Sequence, residues 1–116
     1  MIAKRPAVLI YVCEPDPNSL RNLCAGVEEE GVLYEVQMRD AGPADQLADD
    51  AARDSVLGSG LGLIGRTAAL QLRDCPKGRP VFHMEQVSPT DCRSLGADSA
   101  RAIKKLPFKT GEGKGI

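Results

Sequence analysis

Apolar residues along this chain repeat with two periods, one typical of strands and one typical of helices. The run 7–13 is continuously apolar and rich in β-branched residues, which predicts a strand buried on both faces. The next apolar residues are spaced i, i+3, i+4 and i+7, at Leu20, Leu23, Cys24 and Val27. The chain is therefore expected to open with a buried strand and a helix that has one buried stripe.

The boundaries of this first helix are also marked in the sequence. Asp16 is a suitable N-cap and Pro17 a suitable first residue, while Gly31 suits the helix end because glycine adopts a positive φ without strain. Period-two alternation over 32–38 then predicts a second strand, with its polar residues on the wetter face. A strand, a helix and a strand within about thirty residues favour a right-handed βαβ unit.

The second half of the chain continues the alternation of helices and strands. A helix is predicted at 45–54, and we expect it to pack closely because alanine dominates its apolar positions. The glycine-rich segment 58–65 predicts a third strand that turns near Arg66. Two further strands are expected at 66–73 and 81–87, and a last helix from Ser88 to a stop at Pro107.

These elements predict a single three-layer, Rossmann-like α/β domain. Its central sheet is expected to be mostly parallel, with four or five strands and about three helices. The domain is predicted to span residues 1–109. Residues 110–116 are expected to form a flexible C-terminal tail, because they contain little that a core would bury.

One dinucleotide-binding fingerprint occurs as a bare string, Gly60-x-Gly62-x-x-Gly65. The functional motif needs a strand before the glycines and a helix after them, whereas here a helix precedes and a strand-like alternation follows. We therefore interpret the segment as a strand thinned by glycine. No cofactor-binding residue is predicted in this chain.

Charge and hydropathy exclude several classes of function. Fifteen basic and sixteen acidic side chains give a net charge of −1, which argues against binding nucleic acid by phosphate neutralisation. No segment has the ~18 consecutive apolar residues needed to cross a membrane, and the first residues show no secretory signal pattern. A cytoplasmic protein with no nucleic-acid or membrane partner is expected.

Residues suited to catalysis or to metal binding are few. The four cysteines are widely spaced, so buried reduced thiols are favoured over a zinc site. His83 and Glu85 share one face of a predicted strand and are close enough in sequence to form a proton-transfer pair. No nucleophile accompanies them, so a packed or surface pair is favoured. No catalytic residue is predicted, and we expect the chain not to be an enzyme.

Three successive carboxylates, Glu28, Glu29 and Glu30, close the first helix. Carboxylates are disfavoured there because the carboxyl end of a helix carries partial negative charge. Consecutive helical residues are rotated by about 100°, so the three side chains cannot share one face. We therefore expect one of them to meet a positive group outside this chain.

Two stretches, 26–32 with its acidic triplet and the more specific 94–108, resemble one family. This is the small subunit of the glycerol and diol dehydratase reactivating factors and, more distantly, the medium subunit of those dehydratases. Order, spacing and total length agree over nearly the whole chain. The sequence departs from the family pattern at Leu33, where relatives often carry proline, and in the glycine density of 58–65.

The resemblance implies a chaperone-like accessory subunit. In that family the small subunit pairs with a large ATPase subunit, and together they release damaged cobalamin from an adenosylcobalamin-dependent dehydratase, whose medium subunit the small subunit replaces. The family glutamate that matches Glu29 helps to bind a divalent cation, Mg²⁺ or Ca²⁺, at the contact with the large subunit. The resemblance also allows association with a bacterial microcompartment.

Two other functions are compatible with the sequence. The chain resembles a medium subunit of the dehydratase itself, although medium subunits are longer chains with an N-terminal extension. A small enzyme or ligand-binding α/β domain is the other alternative, and it would use His83, Glu85 and the glycine-rich segment 58–65.

Overall fold

Residues 5–110 are described by the structure, a computed structural model of the chain. All of the predicted strands and helices are present, with bounds shifted by a few residues. None of the helices in this range is long and apolar enough to span a membrane. In chain order the elements are β1 (Val8–Pro15), α1 (Pro17–Glu29), β2 (Tyr34–Met38), α2 (Ala44–Asp54), β3 (Ser59–Gly65), β4 (Thr67–Leu72), β5 (Phe82–Met84) and α3 (Pro89–Ile103).

Side-chain caps explain where α1 and α3 begin. The Asp16 carboxylate accepts hydrogen bonds from the N–H of Ser19 at 2.9 Å and from its hydroxyl at 2.8 Å, so it caps α1 as predicted. Ser88 and Asp91 form a reciprocal capping box at the start of α3. Gly31 follows α1 with a φ of +74°, which confirms the predicted helix end.

The five strands form one sheet in the order β2-β1-β3-β4-β5. β1 pairs in parallel with β2 and β3, whereas β4 is antiparallel to both of its neighbours. The sheet is thus mostly but not purely parallel, because a tight turn at Arg66 returns the chain beside β3 without a crossover helix. The Rossmann-like assignment stays a prediction, since a fully doubly wound sheet would be parallel there.

Helices cover both faces of the sheet. On one face, α1 and α3 enclose the main core, which contains Leu23 of α1 and Leu95 of α3. On the other face, α2 packs Leu47 and Ala51 against Tyr11 of β1. The described part of the chain therefore has three layers, with apolar side chains on both sides of the central strands.

Glycine lets neighbouring elements approach closely at two places. A Cβ added to Gly60 or Gly62 of β3 would lie 2.2 Å from a backbone atom of α2. Helices α1 and α3 meet at Gly26 and Gly96, where an added Cβ would lie 2.2 Å and 2.1 Å from carbonyl oxygens of the opposite helix. The close packing predicted for α2 is confirmed, and it accounts for two glycines of the segment 58–65.

The outer strand β2 departs from its predicted burial. Its alternation is that of a strand, but Val36 and Met38 on its apolar side are 39% and 68% exposed. The core covers Tyr34 at the start of the strand and not the residues that follow. The expectation that the polar side of β2 is the wetter one is therefore wrong for the second half of the strand, where both sides are exposed.

The segment after α3 is tied back to the domain. The buried carboxylate of Asp98 accepts hydrogen bonds from the N–H groups of Lys109 at 2.5 Å and Thr110 at 2.8 Å. Phe108 contacts Phe82 edge to face, with ring centroids 5.4 Å apart. Apart from Thr110, the predicted tail 110–116 lies outside the described residues.

Candidate functional site

Glu29, the predicted metal ligand, lies in the last turn of α1 between Glu28 and the C-cap residue Glu30. Its side chain is about half exposed, and its Oε2 lies 2.6 Å from Nη1 of Arg93 on α3. Arg93 also donates a hydrogen bond to the side-chain oxygen of Asn22 at 3.0 Å. The two helices thus hold the Glu29 carboxylate at the surface in a defined position.

The neighbouring Glu30 is much less exposed and has two cationic partners, one on α3 and one at its C-cap. Its carboxylate lies 3.2 Å from Nη1 of Arg101 and 3.3 Å from Nζ of Lys104. Burial raises the pKa of Glu30, but the hydrogen bonds and charges of Lys104 and Arg101 outweigh it and hold the pKa below its usual value. Lys104 also donates to the Glu30 carbonyl oxygen at 2.7 Å, which supplies the positive charge preferred at a helix end.

These contacts correct the argument made from the helix dipole. The cations that offset Glu29 and Glu30 come from α3 of the same chain, so the dipole alone does not require a positive group from outside. Arg93, Arg101 and Lys104 were missed as partners, although their spacing of i, i+8 and i+11 places them on one helix face. Glu28 is exposed, and the ion pairs found within residues 5–110 do not include it.

Glu29 is suited to contribute one ligand to a cation and not to form a complete site. Within residues 5–110, no three His, Cys, Asp or Glu side chains lie together as metal ligands. Mg²⁺ and Ca²⁺ take six or more oxygen ligands, among which carboxylates are preferred. The ion pair with Arg93 already uses Oε2 of Glu29, so this carboxylate by itself is far from a complete cation site.

The glycine motif belongs to the fold. Gly60 and Gly62 lie directly under α2, and Gly65, with a φ of +53°, begins the turn into β4. The N–H of Asp16 donates to the Gly65 carbonyl oxygen at 2.9 Å, which joins the carboxyl ends of β1 and β3. In open α/β sheets, ligands bind in the crevice outside the carboxyl ends of two such neighbouring strands. The interpretation of 58–65 as a structural strand is confirmed.

His83 and Glu85 are brought together, and Asp45 joins them. His83 Nδ1 lies 2.6 Å from Oδ1 of Asp45, and Nε2 lies 3.3 Å from Oε2 of Glu85. The hydrogen bond with Asp45, followed by that with Glu85, raises the pKa of His83. Sequence reasoning missed Asp45, which is 38 residues away. Because a carboxylate engages each ring nitrogen, the cluster is better suited to joining α2 and β5 than to proton transfer.

A groove of about 730 Å³ lies beside β2 and the end of α2. On its wall the Tyr11 hydroxyl donates to Oδ2 of Asp54 at 2.5 Å, and the Arg39 guanidinium lies 3.8 Å from the ring centroid of Tyr11. Burial, together with the hydrogen bond to Asp54, raises the pKa of Tyr11 to about 12. The phenol therefore stays protonated at neutral pH and serves as a hydrogen-bond donor.

The four cysteines are free thiols, as predicted. Cys92 is buried, whereas Cys13, Cys24 and Cys75 are partly exposed, so the expectation of burial holds fully for one of them. Burial raises the pKa of Cys24 and of Cys92. Both side chains act as small apolar groups of the core and its border.

Comparison with known proteins gives a consistent set of relatives. A family model described as dehydratase medium subunit matches residues 5–109. The diol dehydratase-reactivating factor small subunit of Klebsiella michiganensis is 29% identical over 105 residues, which cover 90% of this chain and 84% of that protein. The propanediol dehydratase-reactivating factor small subunit of Salmonella typhimurium is 28% identical over 105 residues, 90% of each chain.

Two solved structures share the fold. A chain in the structure of diol dehydratase-reactivating factor complexed with ADP and Mg²⁺ is 28% identical with a TM-score of 0.84, over 91% of this chain and 99% of that chain. A glycerol dehydratase reactivase chain is 30% identical with a TM-score of 0.85, over 90% and 97% of the two chains. The similarity thus extends over almost the full length of both structures.

Proposed function

We propose a function that starts from the family of this chain: it belongs to the dehydratase medium subunit family. We infer that it is the small subunit of a reactivating factor for a diol or glycerol dehydratase. The observation that carries this conclusion is the nearly complete overlap with reactivating-factor chains, at a TM-score of 0.84 over 99% of one of them. Curated small subunits of such factors match over 84% and 90% of their lengths.

In this function the chain is a non-catalytic accessory subunit that acts through its surface. Its partner is a large subunit that binds and hydrolyses ATP, and its client is an adenosylcobalamin-dependent dehydratase in the cytoplasm or in a microcompartment. Membership of the medium subunit family supports an exchange mechanism, because a chain with the fold of the medium subunit can occupy the same position in the dehydratase. Exchange would open the dehydratase and release the damaged cobalamin.

Reconstitution tests this function directly. A dehydratase inactivated with damaged cobalamin is incubated with the large subunit, ATP, Mg²⁺ and fresh adenosylcobalamin, with and without this chain, and recovery of diol or glycerol turnover is measured. We expect recovery only when both subunits are present. Equal recovery with the large subunit alone, or turnover by the isolated chain, would overturn the proposal.

The description of the matching family model favours a second candidate, the medium subunit of the dehydratase itself. The two are separated by mixing the chain with dehydratase large and small subunits that lack the medium subunit. A reactivating-factor subunit occupies that place without supporting turnover, whereas a medium subunit restores it. Restored turnover would therefore replace the first proposal with the second.

We also propose that Glu29 is the ligand through which this chain shares a Mg²⁺ or Ca²⁺ ion with the large subunit. Its support is geometric: the carboxylate is about half exposed at the end of α1 and is held there by Arg93. A single carboxylate completed by oxygens of a partner makes a site that exists only in the complex. Release of the cation would then weaken the contact between the two subunits.

Replacing Glu29 by glutamine should weaken binding of the large subunit by about 2–4 kcal/mol, or some 30- to 1000-fold in the dissociation constant. The amide keeps the size of the side chain but is a poorer ligand for a hard cation. The measurement is a titration of the two subunits by calorimetry with and without chelator. Chelator should weaken the affinity of the wild-type chain for the large subunit. It should leave the already weakened affinity of the variant unchanged.

Glu28→Gln is the matched control, since it removes the same charge one residue away. We expect this variant to keep wild-type affinity and chelator sensitivity. Both variants should change the free energy of unfolding by less than about 1 kcal/mol, because exposed ion pairs contribute little. Wild-type affinity in Glu29→Gln, with chelator sensitivity retained, would exclude the assignment.

A further inference from the structure

The outward side of β2, called here the open edge, has backbone groups that no strand among the described residues pairs with. Val8 N–H donates to the Leu33 carbonyl, and Arg39 N–H donates to the Val12 carbonyl. Alternate residues of a parallel strand bond to the same neighbour. Leu33 and Arg39 thus bond to β1, as do the residues at two-residue steps between them. The N–H and C=O groups of Tyr34, Val36 and Met38 therefore point away from β1.

The open edge is also where apolar side chains are exposed. Of the five large apolar residues exposed within 5–110, two lie in β2, Val36 and Met38, and a third, Leu33, directly precedes it. Strand edges are usually protected by proline, lysine, a bulge or short length. β2 has none of these, whereas the opposite edge, β5, is only three residues long. The open edge is thus suited to being covered by another strand.

We propose that the open edge pairs with the open edge of a second copy of this chain, antiparallel and with the two-fold axis at Gln37. In this register Val36 lies opposite the second copy's Met38, so the two exposed apolar residues cover each other. Their backbone groups form hydrogen-bonded pairs, twice by symmetry. The sheets of the two copies then continue as one ten-stranded sheet.

The charges of Glu35 and Arg39 favour this register between two copies of the chain. With the axis at Gln37, Glu35 lies directly opposite the second copy's Arg39, where Cβ atoms are about 4.5–5.5 Å apart. Arg39 already lies on that face, because its guanidinium stacks on Tyr11 and its Nη2 is 3.4 Å from Oε1 of Gln37. Two symmetric attractive pairs result. Moving the axis to Val36 would instead place Glu35 opposite Gln37 and lose both of them.

Sedimentation velocity over a range of concentrations tests the dimer. We expect wild type to form a weak, reversible dimer, since one strand pair lies at the small end of protein interfaces. Glu35→Lys places a lysine opposite Arg39 of the second copy at both symmetric positions. The repulsion should raise the dimer dissociation constant about tenfold or more. Glu28→Lys, with the same change of charge on α1, is the matched control and should behave as wild type.

Cross-linking tests the register independently. At the two-fold axis the Cα atoms of a non-hydrogen-bonded pair are about 4.5 Å apart, within the range that a disulfide spans. Gln37→Cys should therefore give a disulfide-linked dimer under mild oxidation. Met38→Cys, which is not opposite itself, should cross-link no faster than wild type with its native thiols.

Three results would overturn the proposal. The first is a wild-type monomer at all concentrations together with equal cross-linking of Gln37→Cys and Met38→Cys. The second is a dimer that Glu35→Lys does not weaken, which would place the contact elsewhere on the surface. A monomer whose binding to the large subunit is weakened by Glu35→Lys would assign the open edge to that subunit and would also exclude the second copy.

Discussion

His83 lies between two carboxylates that reach it from different parts of the fold. Asp45 comes from the first turn of α2, and Glu85 follows β5. Both favour the charged imidazolium, so the pKa of His83 is raised above its usual value. Below the unfolded pKa near 6.5, this contact therefore makes its full contribution to the free energy of unfolding. The contribution is lost as the pH rises through the higher pKa of the folded state.

NMR titration of the single histidine measures this shift directly. We expect the pKa of His83 to lie above about 6.5 in wild type, and to fall in Asp45→Asn by more than it falls in Glu85→Gln. Asp50→Asn, on the exposed side of α2, is the control and should leave it unchanged. A pKa at or below the usual value in wild type would contradict the contact. The effect on stability should stay small, because the ring is 40% exposed.

At the scale of elements, the crossing of α1 and α3 sets the position of Glu29 in the candidate site. The two helices meet backbone to backbone at Gly26 and Gly96, which brings Arg93 within reach of Glu29. A bulkier residue at the crossing would separate the helices and lengthen that ion pair. The glycines are thus part of the positioning of Glu29, although they lie away from the carboxylate itself.

Gly96→Ala should lower the free energy of unfolding by about 1–3 kcal/mol, because its Cβ would lie 2.1 Å from the Leu23 carbonyl oxygen. The higher helix propensity of alanine, worth up to about 1 kcal/mol, offsets only part of this loss. Urea denaturation measures the change. Arg21→Ala, on the exposed side of α1, should stay within about 0.5 kcal/mol of wild type. A variant at Gly96 that is as stable as wild type would contradict the close crossing.

At the scale of the whole molecule, the layers are arranged around the central strands β1 and β3. α1 and α3 cover one face and α2 the other, while the hairpin of β3 and β4 extends the sheet on one side. The other side ends at β2, whose second half is not covered. The end of α1 and the second half of β2 are thus two exposed features of the described chain, with Glu29 on the first and Val36 and Met38 on the second.

Much of this architecture was predictable because it depends on neighbours in the sequence. The N-cap at Asp16, the helix end at Gly31 and the period of the apolar residues are local, and the structure confirms them. The direction of β4 was not predicted, because an alternating strand pattern is the same for parallel and antiparallel pairing. The turn near Arg66 was expected, and only the structure shows that it is tight enough to pair β4 antiparallel to β3.

The candidate site could be predicted only in part, because its contacts join residues that are far apart in the chain. The acidic triplet and the resemblance led to Glu29, but its partner Arg93 is 64 residues away, and Asp45 is 38 residues from His83. No local pattern shows which distant side chains will meet. The three carboxylates at a helix end led to the expectation of a positive group outside this chain, whereas the cations that offset Glu29 and Glu30 belong to the chain itself.

The sequence by itself determined the elements, their order and the family of this protein, because caps, turns and hydrophobic period act between residues that are close in the chain. The tertiary structure alone decided that α3 neutralises Glu29 and Glu30, that glycines bring the helices into contact, and that Val36 and Met38 remain exposed. Those outcomes depend on which distant segments pack together, and packing is settled by the shape and burial of the whole fold.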